Sequence, residues 1–204
     1  MIQHPEIAGS RPKEVHFFSE HYQKGQFWYR AHFPFTLTEQ LVEASPSYLY
    51  LPFVPQRIKD LIPNARLIVM LRNPTNRAIS SYFHQVRAGN ETLPIMDALL
   101  MEEERIESDI KLLNSGNENL STNYRIYGYK NRGLYLKQLQ SYWNVFDKSQ
   151  LLILSYKNFL MNPLLTLKKV FNFMGVDPSY SNISFKKYNV GVNKHEVPEK
   201  VYIY

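Results

Sequence analysis

Ala65-Arg66-Leu67-Ile68-Val69-Met70-Leu71-Arg72-Asn73-Pro74-Thr75-Asn76-Arg77-Ala78-Ile79-Ser80 is the stretch whose reading decides the fold. Its first half is a continuous, β-prone apolar run, the mark of a strand buried on both faces of a parallel sheet. Arg72-Asn73-Pro74 breaks that run, and a proline here is suited to the first turn of a helix. From Thr75 to Arg87, the residues Ala78, Ile79, Tyr82, Phe83 and Val86 recur at helical spacing. The stretch therefore predicts strand, tight loop, helix.

The same alternation continues on either side. Leu151-Leu152-Ile153-Leu154 reads as a second buried strand, followed by a polar turn and a helix from about Pro163 to Met174 that Gly175 ends. Leu93 to Leu113 reads as one long helix with a charged Glu102-Glu103-Glu104-Arg105 face, and Tyr135, Leu136, Leu139, Tyr142, Trp143 and Phe146 form a further amphipathic stripe. Upstream, Val15-His16-Phe17-Phe18 predicts another strand, and Pro46 to Pro63 a loop with a short helix. The tail after Tyr188 has no core pattern. Strands alternating with helices specify an α/β fold, and the absence of repeats or long linkers predicts one domain over 1–204.

Composition narrows the chemistry. The chain has 204 residues, 44% of them hydrophobic, with 15 Tyr and 12 Phe, enough apolar surface to exclude global disorder. With no cysteine, disulfide frameworks, thiolate zinc sites and thiol nucleophiles are excluded. The six histidines form no ligand-spaced cluster, so no metal is expected. No apolar run approaches the roughly 20 residues of a membrane span, and the opening residues lack the apolar core of a signal peptide; the expected compartment is cytoplasmic. The net charge of +6 suits an anionic ligand and equally an ordinary solvated surface. The lysines are dispersed and no nucleic-acid module is recognisable, so nucleic acid is not an expected partner.

Two stretches carry candidate chemistry. Arg72 leaves the end of the predicted strand as a planar donor fork, and Ser80 stands eight residues on in the early helix. Ligands of parallel sheets bind beyond the strand C-termini, where the helix N-terminus offers free N–H groups to an anion. That is a phosphate-binding context; the competing reading pairs Arg72 with a carboxylate and packs Ser80. In Lys13-Glu14-Val15-His16-Phe17-Phe18, strand alternation sets Glu14 and His16 on one face, where a carboxylate could take a proton and His or Lys could stabilise a leaving oxygen. The plain alternative is a solvated Lys13–Glu14 pair.

Taken together, these segments resemble the PAPS-dependent sulfotransferases, in particular the bacterial and heparan-sulfate-type branch. The resemblance includes Lys13 to Phe18, Gly25 with Trp28-Tyr29-Arg30 and Phe33-Pro34, and Glu43-Ala44-Ser45-Pro46-Ser47-Tyr48-Leu49. It continues through Arg72-Asn73-Pro74, Arg77, Ser80-Ser81-Tyr82, Gly133 with Tyr135, Leu139 and Trp143, then Asn162-Pro163 and Phe173-Met174-Gly175. It implies a three-layer parallel sheet flanked by helices, related to P-loop nucleotide kinases, and sulfuryl transfer from 3′-phosphoadenosine-5′-phosphosulfate (PAPS) to a hydroxyl or amine of a carbohydrate or small-molecule acceptor. By the same resemblance Arg72 and Ser80, with Arg77 beside them, hold the 3′-phosphate. Glu14 is the general base and His16 an active-site histidine, while Lys13 orients Glu14 or the acceptor. Arg30 and Arg132, with Trp28 and Tyr29, line the acceptor approach, although Trp28 and Trp143 also read as packing residues.

The chain departs from the family in several places. No Lys-x-Gly-Thr-Thr-like loop for the 5′-phosphosulfate precedes Lys13, so the expected fold is incomplete, without its first strand and that loop. Met1 to Ile7 is expected to be the end of the helix that follows the loop. Lys186, Lys187 and Lys194 are the candidates for the family's C-terminal basic PAPS contact. Ala44 and Ser19 stand where many glycosaminoglycan-modifying relatives carry Lys and Asp. The alternative reading is an inactive, truncated or noncatalytic homologue that binds a nucleotide or a polyanion. A nucleotide kinase is disfavoured, since Gly-x-x-x-x-Gly-Lys-Ser/Thr is absent.

Overall fold

A computed structural model describes residues 2–36 and 40–185. The elements run β1 (Ile7–Gly9), a π-helical turn (Phe17–His21), α1 (Gly25–Arg30), β2 (Gln40–Val42), α2 (Val54–Leu61), β3 (Leu67–Leu71) and α3 (Pro74–Arg87). They continue with α4 (Ile95–Leu100), α5 (Glu102–Asn114), α6 (Thr122–Tyr127), α7 (Tyr135–Trp143), β4 (Leu151–Ser155), α8 (Tyr156–Met161) and α9 (Pro163–Met174). Two compact units result: Met1–Leu71 with Leu136–Phe185, and a second whose described part is Arg72–Tyr135.

In the first unit β3 and β4 pair in parallel, with Val69 opposite Ile153, and β1 pairs in parallel with β2, Ala8 opposite Leu41. The apolar runs at 65–71 and 151–154 thus become parallel strands. Their burial is only partial: Val69 and Leu154 are buried, but Met70 is 42% and Ile153 40% exposed. This corrects the expectation of a strand buried on both faces; among the described residues β3 has one ladder neighbour. The core of this unit gathers Ile7, Leu154, Leu167, Val170, Phe171 and Met174. Asn162 caps α9 by accepting the Leu165 N–H at 3.1 Å, and Gly175 ends it in the left-handed region at φ 75°. Arg66 donates to the Met174 carbonyl, and a Cβ on Gly175 would lie 2.8 Å from that guanidinium. The positive φ is what calls for glycine there, since the guanidinium is the end of a flexible side chain and could shift.

The opening residues are turns leading into β1, not the helix end expected of Met1 to Ile7. His4 explains this: its buried ring bonds the Asp177 carbonyl at 2.9 Å and accepts the Glu6 N–H at 3.1 Å, which fixes a turn.

In the second unit the helix expected from Leu93 to Leu113 is divided into α4 and α5 at Met101. The break lets Glu102 turn inward, where it is 1% exposed and accepts the Lys130 and Asn131 N–H groups at 2.6 and 2.7 Å. Arg105 pairs with buried Glu91 at 2.6 Å. The charged face therefore contributes two residues to internal polar contacts. Ala78, Ile79, Tyr82 and Phe83 of α3 pack with Ile95, Ala98, Leu99 and Tyr129, the stripe read from sequence. Among the described residues no helix is long and apolar enough to cross a membrane. Lys186, Lys187 and Lys194, like the tail after Tyr188, lie outside the described residues.

Candidate active site

Residues 14–21 depart most from the sequence expectation. Val15, Phe17 and Phe18 are all buried. A strand cannot send two successive side chains into one core, so the predicted strand does not form. Instead His16 takes a left-handed conformation, φ 54° and ψ 23°, which is unusual for a residue with a Cβ. The chain then enters the π turn, with the His16 carbonyl accepting the Glu20 and His21 N–H groups at 2.8 and 3.3 Å. Such widened turns recur at functional sites. Arg57 of α2 buttresses this one, donating to the Phe18 carbonyl at 2.8 Å and lying over the Tyr22 and Phe53 rings.

This backbone, rather than strand alternation, brings the predicted residues together. The His16 ring stands between two carboxylates, with Nε2 3.5 Å from Glu14 Oε2 and Nδ1 3.5 Å from Glu20 Oε1. Lys13 Nζ is 3.9 Å from Glu14 Oε1. The Lys13 side chain is 81% exposed and that of Glu14 40%, so the carboxylate is open to a solute.

Beneath the turn, Glu43 acts as a hub that sequence reasoning quoted in a motif but gave no role. One of its oxygens accepts from Ser45 Oγ at 2.5 Å and Tyr48 OH at 2.7 Å, the other from Tyr29 OH at 3.1 Å. Ser45 and Tyr48 in turn accept the His16 and Phe18 N–H groups at 2.9 and 3.2 Å. Burial first, and then the Glu43 charge, push both the Tyr29 and Tyr48 phenols far above their ordinary range. Two hydroxyls thus fasten the strained segment to one carboxylate. Tyr29 also stacks on Phe17 at 4.5 Å, whereas Arg30 is spent locally on the Phe33 and Pro34 carbonyls at 3.2 and 3.0 Å.

In the second unit, Asn73 caps α3 by accepting the Asn76 N–H at 3.0 Å, with Pro74 as the first helical residue. Arg72, Arg77, Ser80, Ser81, His84 and Arg87 line an open basin of about 290 Å³. Arg72 and Ser80 are exposed there, and Arg77 is partly buried, donating to the Tyr129 carbonyl. Tyr135 feels the same charge: burial raises its phenol, while the Arg77 and Arg72 cations oppose the rise. Gly133 permits close approach to α3, since a Cβ there would stand 3.1 Å from Pro74 Cβ. Arg132 is turned to the Arg125 carbonyl at 3.1 Å. Sequence reasoning named Arg72, Arg77 and Ser80 and missed the basin contributions of Ser81, His84 and Arg87. Positions 77, 80, 81, 84 and 87 fall on one helical stripe, opposite the apolar positions, and that signal was available.

Three guanidinium groups, an imidazole and two hydroxyls make a basin chemically suited to a phosphate. The other cluster offers an accessible carboxylate between the Lys13 ammonium and the His16 ring, a geometry suited to proton removal.

A family model described as a sulfotransferase domain matches residues 3–196. Mouse heparan sulfate glucosamine 3-O-sulfotransferase 5 is 30% identical over 185 residues, covering 87% of this chain and 49% of that protein. Mouse heparan sulfate glucosamine 3-O-sulfotransferase 6 is 31% identical over 176 residues, 85% of this chain and 46% of that one. The chain spans about half the length of these curated relatives. Among solved structures, a sulfotransferase from Alicyclobacillus acidocaldarius superposes with a TM-score of 0.74 at 29% identity, over 91% of this chain and 78% of that one.

Proposed function

Because the chain belongs to the sulfotransferase domain family, we propose that it transfers a sulfuryl group from PAPS to a hydroxyl or amine of a carbohydrate acceptor. The observation that carries this reading is the cationic basin on α3. Arg72 and Ser80 bind the 3′-phosphate of PAPS, with Arg77 held close by its bond to the Tyr129 carbonyl. The basin's charge and hydroxyls fit a dianionic phosphate, and PAPS, when bound, supplies the sulfuryl group. Glu14 receives the proton that the acceptor oxygen or nitrogen loses as it attacks. Lys13 steadies that carboxylate, with the His16 ring beside it. Arg30 and Arg132 would contact an acceptor only by leaving the Phe33, Pro34 and Arg125 carbonyls that they now bond. The acceptor class follows the names of the relatives, which act on heparan sulfate.

Sulfuryl transfer from labelled PAPS to a panel of glycan acceptors, with Glu14→Gln beside the wild-type chain, tests the proposal. Loss of a positioned general base lowers kcat by about 10² to 10⁴, with binding of adenosine 3′,5′-bisphosphate retained. Full turnover in Glu14→Gln removes Glu14 from the role. Nucleotide binding without transfer by the wild-type chain favours the noncatalytic alternative.

A further inference from the structure

The His16 ring has an arrangement that the general-base reading of Glu14 does not use. Its Nδ1 is buried and has no hydrogen bond, yet the Glu20 carboxylate lies 3.5 Å away in ion-pair range. Its Nε2 faces Glu14 at the same distance. Both contacts are at the loose edge of hydrogen-bond range, as catalytic contacts often are before substrate binds. Glu20 reaches the ring only because the π turn starts on the His16 carbonyl and brings residue 20 back over it. The other charged groups around the imidazole are Lys13, acting through Glu14, and Glu43, acting through Ser45 on the His16 N–H.

We infer that Glu20 is a positioning residue for proton transfer: it holds the His16 ring with its Nδ1–H toward Glu20, so that the Nε2 lone pair faces Glu14. This rests on the reading of Glu14 as base. As the acceptor attacks sulfur, its O–H or N–H bond breaks and an O–H bond forms on Glu14. That O–H then breaks as an N–H bond forms at His16 Nε2, which leaves Glu14 a carboxylate again and an imidazolium between the two carboxylates of Glu14 and Glu20. The logic is that of a carboxylate fixing a histidine tautomer. Here the histidine regenerates a carboxylate base instead of serving as the base itself.

The test is the tautomer of His16, read by long-range ¹H–¹⁵N NMR on the full chain at about pH 8, where an unperturbed imidazole is neutral. The wild-type ring is expected to carry its proton on Nδ1, and a proton on Nε2 overturns the proposal without any variant. Glu20→Gln is expected to move the proton toward Nε2, while Glu20→Asp, which keeps the charge, retains the wild-type tautomer; identical spectra for the two variants overturn the proposal. In the transfer assay, Glu20→Gln is expected to lower kcat about 10- to 100-fold, with KM for PAPS little changed and the acidic limb of the pH profile displaced. An unchanged kcat and profile also overturn it. If the wild-type chain transfers no sulfuryl group, the reading of Glu14 fails, and the tautomer measurement still decides the role of Glu20.

Discussion

Ser45 holds the strained backbone of His16: its hydroxyl accepts the His16 N–H at 2.9 Å and donates its own proton to Glu43 at 2.5 Å. A hydroxyl can do both at once, and alanine can do neither. In Ser45→Ala the N–H of a left-handed, non-glycine residue loses its partner, and the Glu43 oxygen beside it keeps Tyr48 OH but loses one of its two donors. The expected loss is about 1–3 kcal/mol in urea unfolding, with sulfuryl transfer falling more than nucleotide binding. Thr at this position should retain most of both, and an Ala variant as stable as wild type would show that the bond to His16 is dispensable.

The phenols joined to Glu43 give the chain an alkaline limit. Tyr29 and Tyr48 titrate above their ordinary value near 10, first because they are buried and then because the Glu43 charge opposes a second anion. A group whose folded pKa is raised binds more protons folded than unfolded above its ordinary pKa. Its stabilisation is therefore complete below pH 10 and is lost as pH rises beyond it. Thermal melts between about pH 8 and 11 should fall for the wild type and fall less steeply for Tyr29→Phe. Parallel slopes would remove Tyr29 from this effect.

Arg72 and Ser80 face the α3 basin, whereas Arg125 lies outside its lining. Charge-assisted hydrogen bonds to phosphate are the stronger kind, so Arg72→Ala and Ser80→Ala should each weaken adenosine 3′,5′-bisphosphate binding about tenfold or more. Calorimetry reads this directly, with Arg125→Ala as the comparison. Unchanged affinity in both basin variants would remove the phosphate assignment.

Glu91 organises the second unit. It accepts from Arg105 at 2.6 and 3.2 Å, from Tyr129 OH at 2.8 Å and from the Thr92 and Leu93 N–H groups at 3.0 Å. Burial acts to raise its pKa, but the bonds from Arg105, Leu93 and Tyr129 outweigh burial and hold it below the ordinary range. The stabilisation is thus present above the ordinary carboxylate pKa and fades as pH falls through the lower folded value. Glu91→Gln should cost about 3 kcal/mol at neutral pH, the low end for breaking a buried pair, because Arg105 retains some solvent contact. The gap from wild type should narrow in acid; a gap independent of pH would mean that packing, not charge, is what was lost.

Much of the site was legible in one dimension because its information is local. Strand, capped loop and helix follow one another between Leu67 and Arg87, and periodicity within a single helix separates the apolar stripe of α3 from its basic one. Glu14 and His16 were legible as residue types. Their arrangement was not, since the strand predicted at 15–18 gives way to a left-handed residue and a π turn.

The sequence by itself determined the α/β alternation, the cap and terminus of α9, and the stripe that makes α3 basic, because each depends on residues a few positions apart. Only the tertiary structure decided that Phe17 and Phe18 share one core, that Glu43 anchors the backbone of residues 16 and 18 from more than 20 positions away, and that Glu102 turns inward to two N–H groups 28 and 29 positions on. The reason is physical. Buried polar groups must find partners wherever the chain supplies them, and the need to bury two adjacent aromatic rings overrides the two-residue period of a strand.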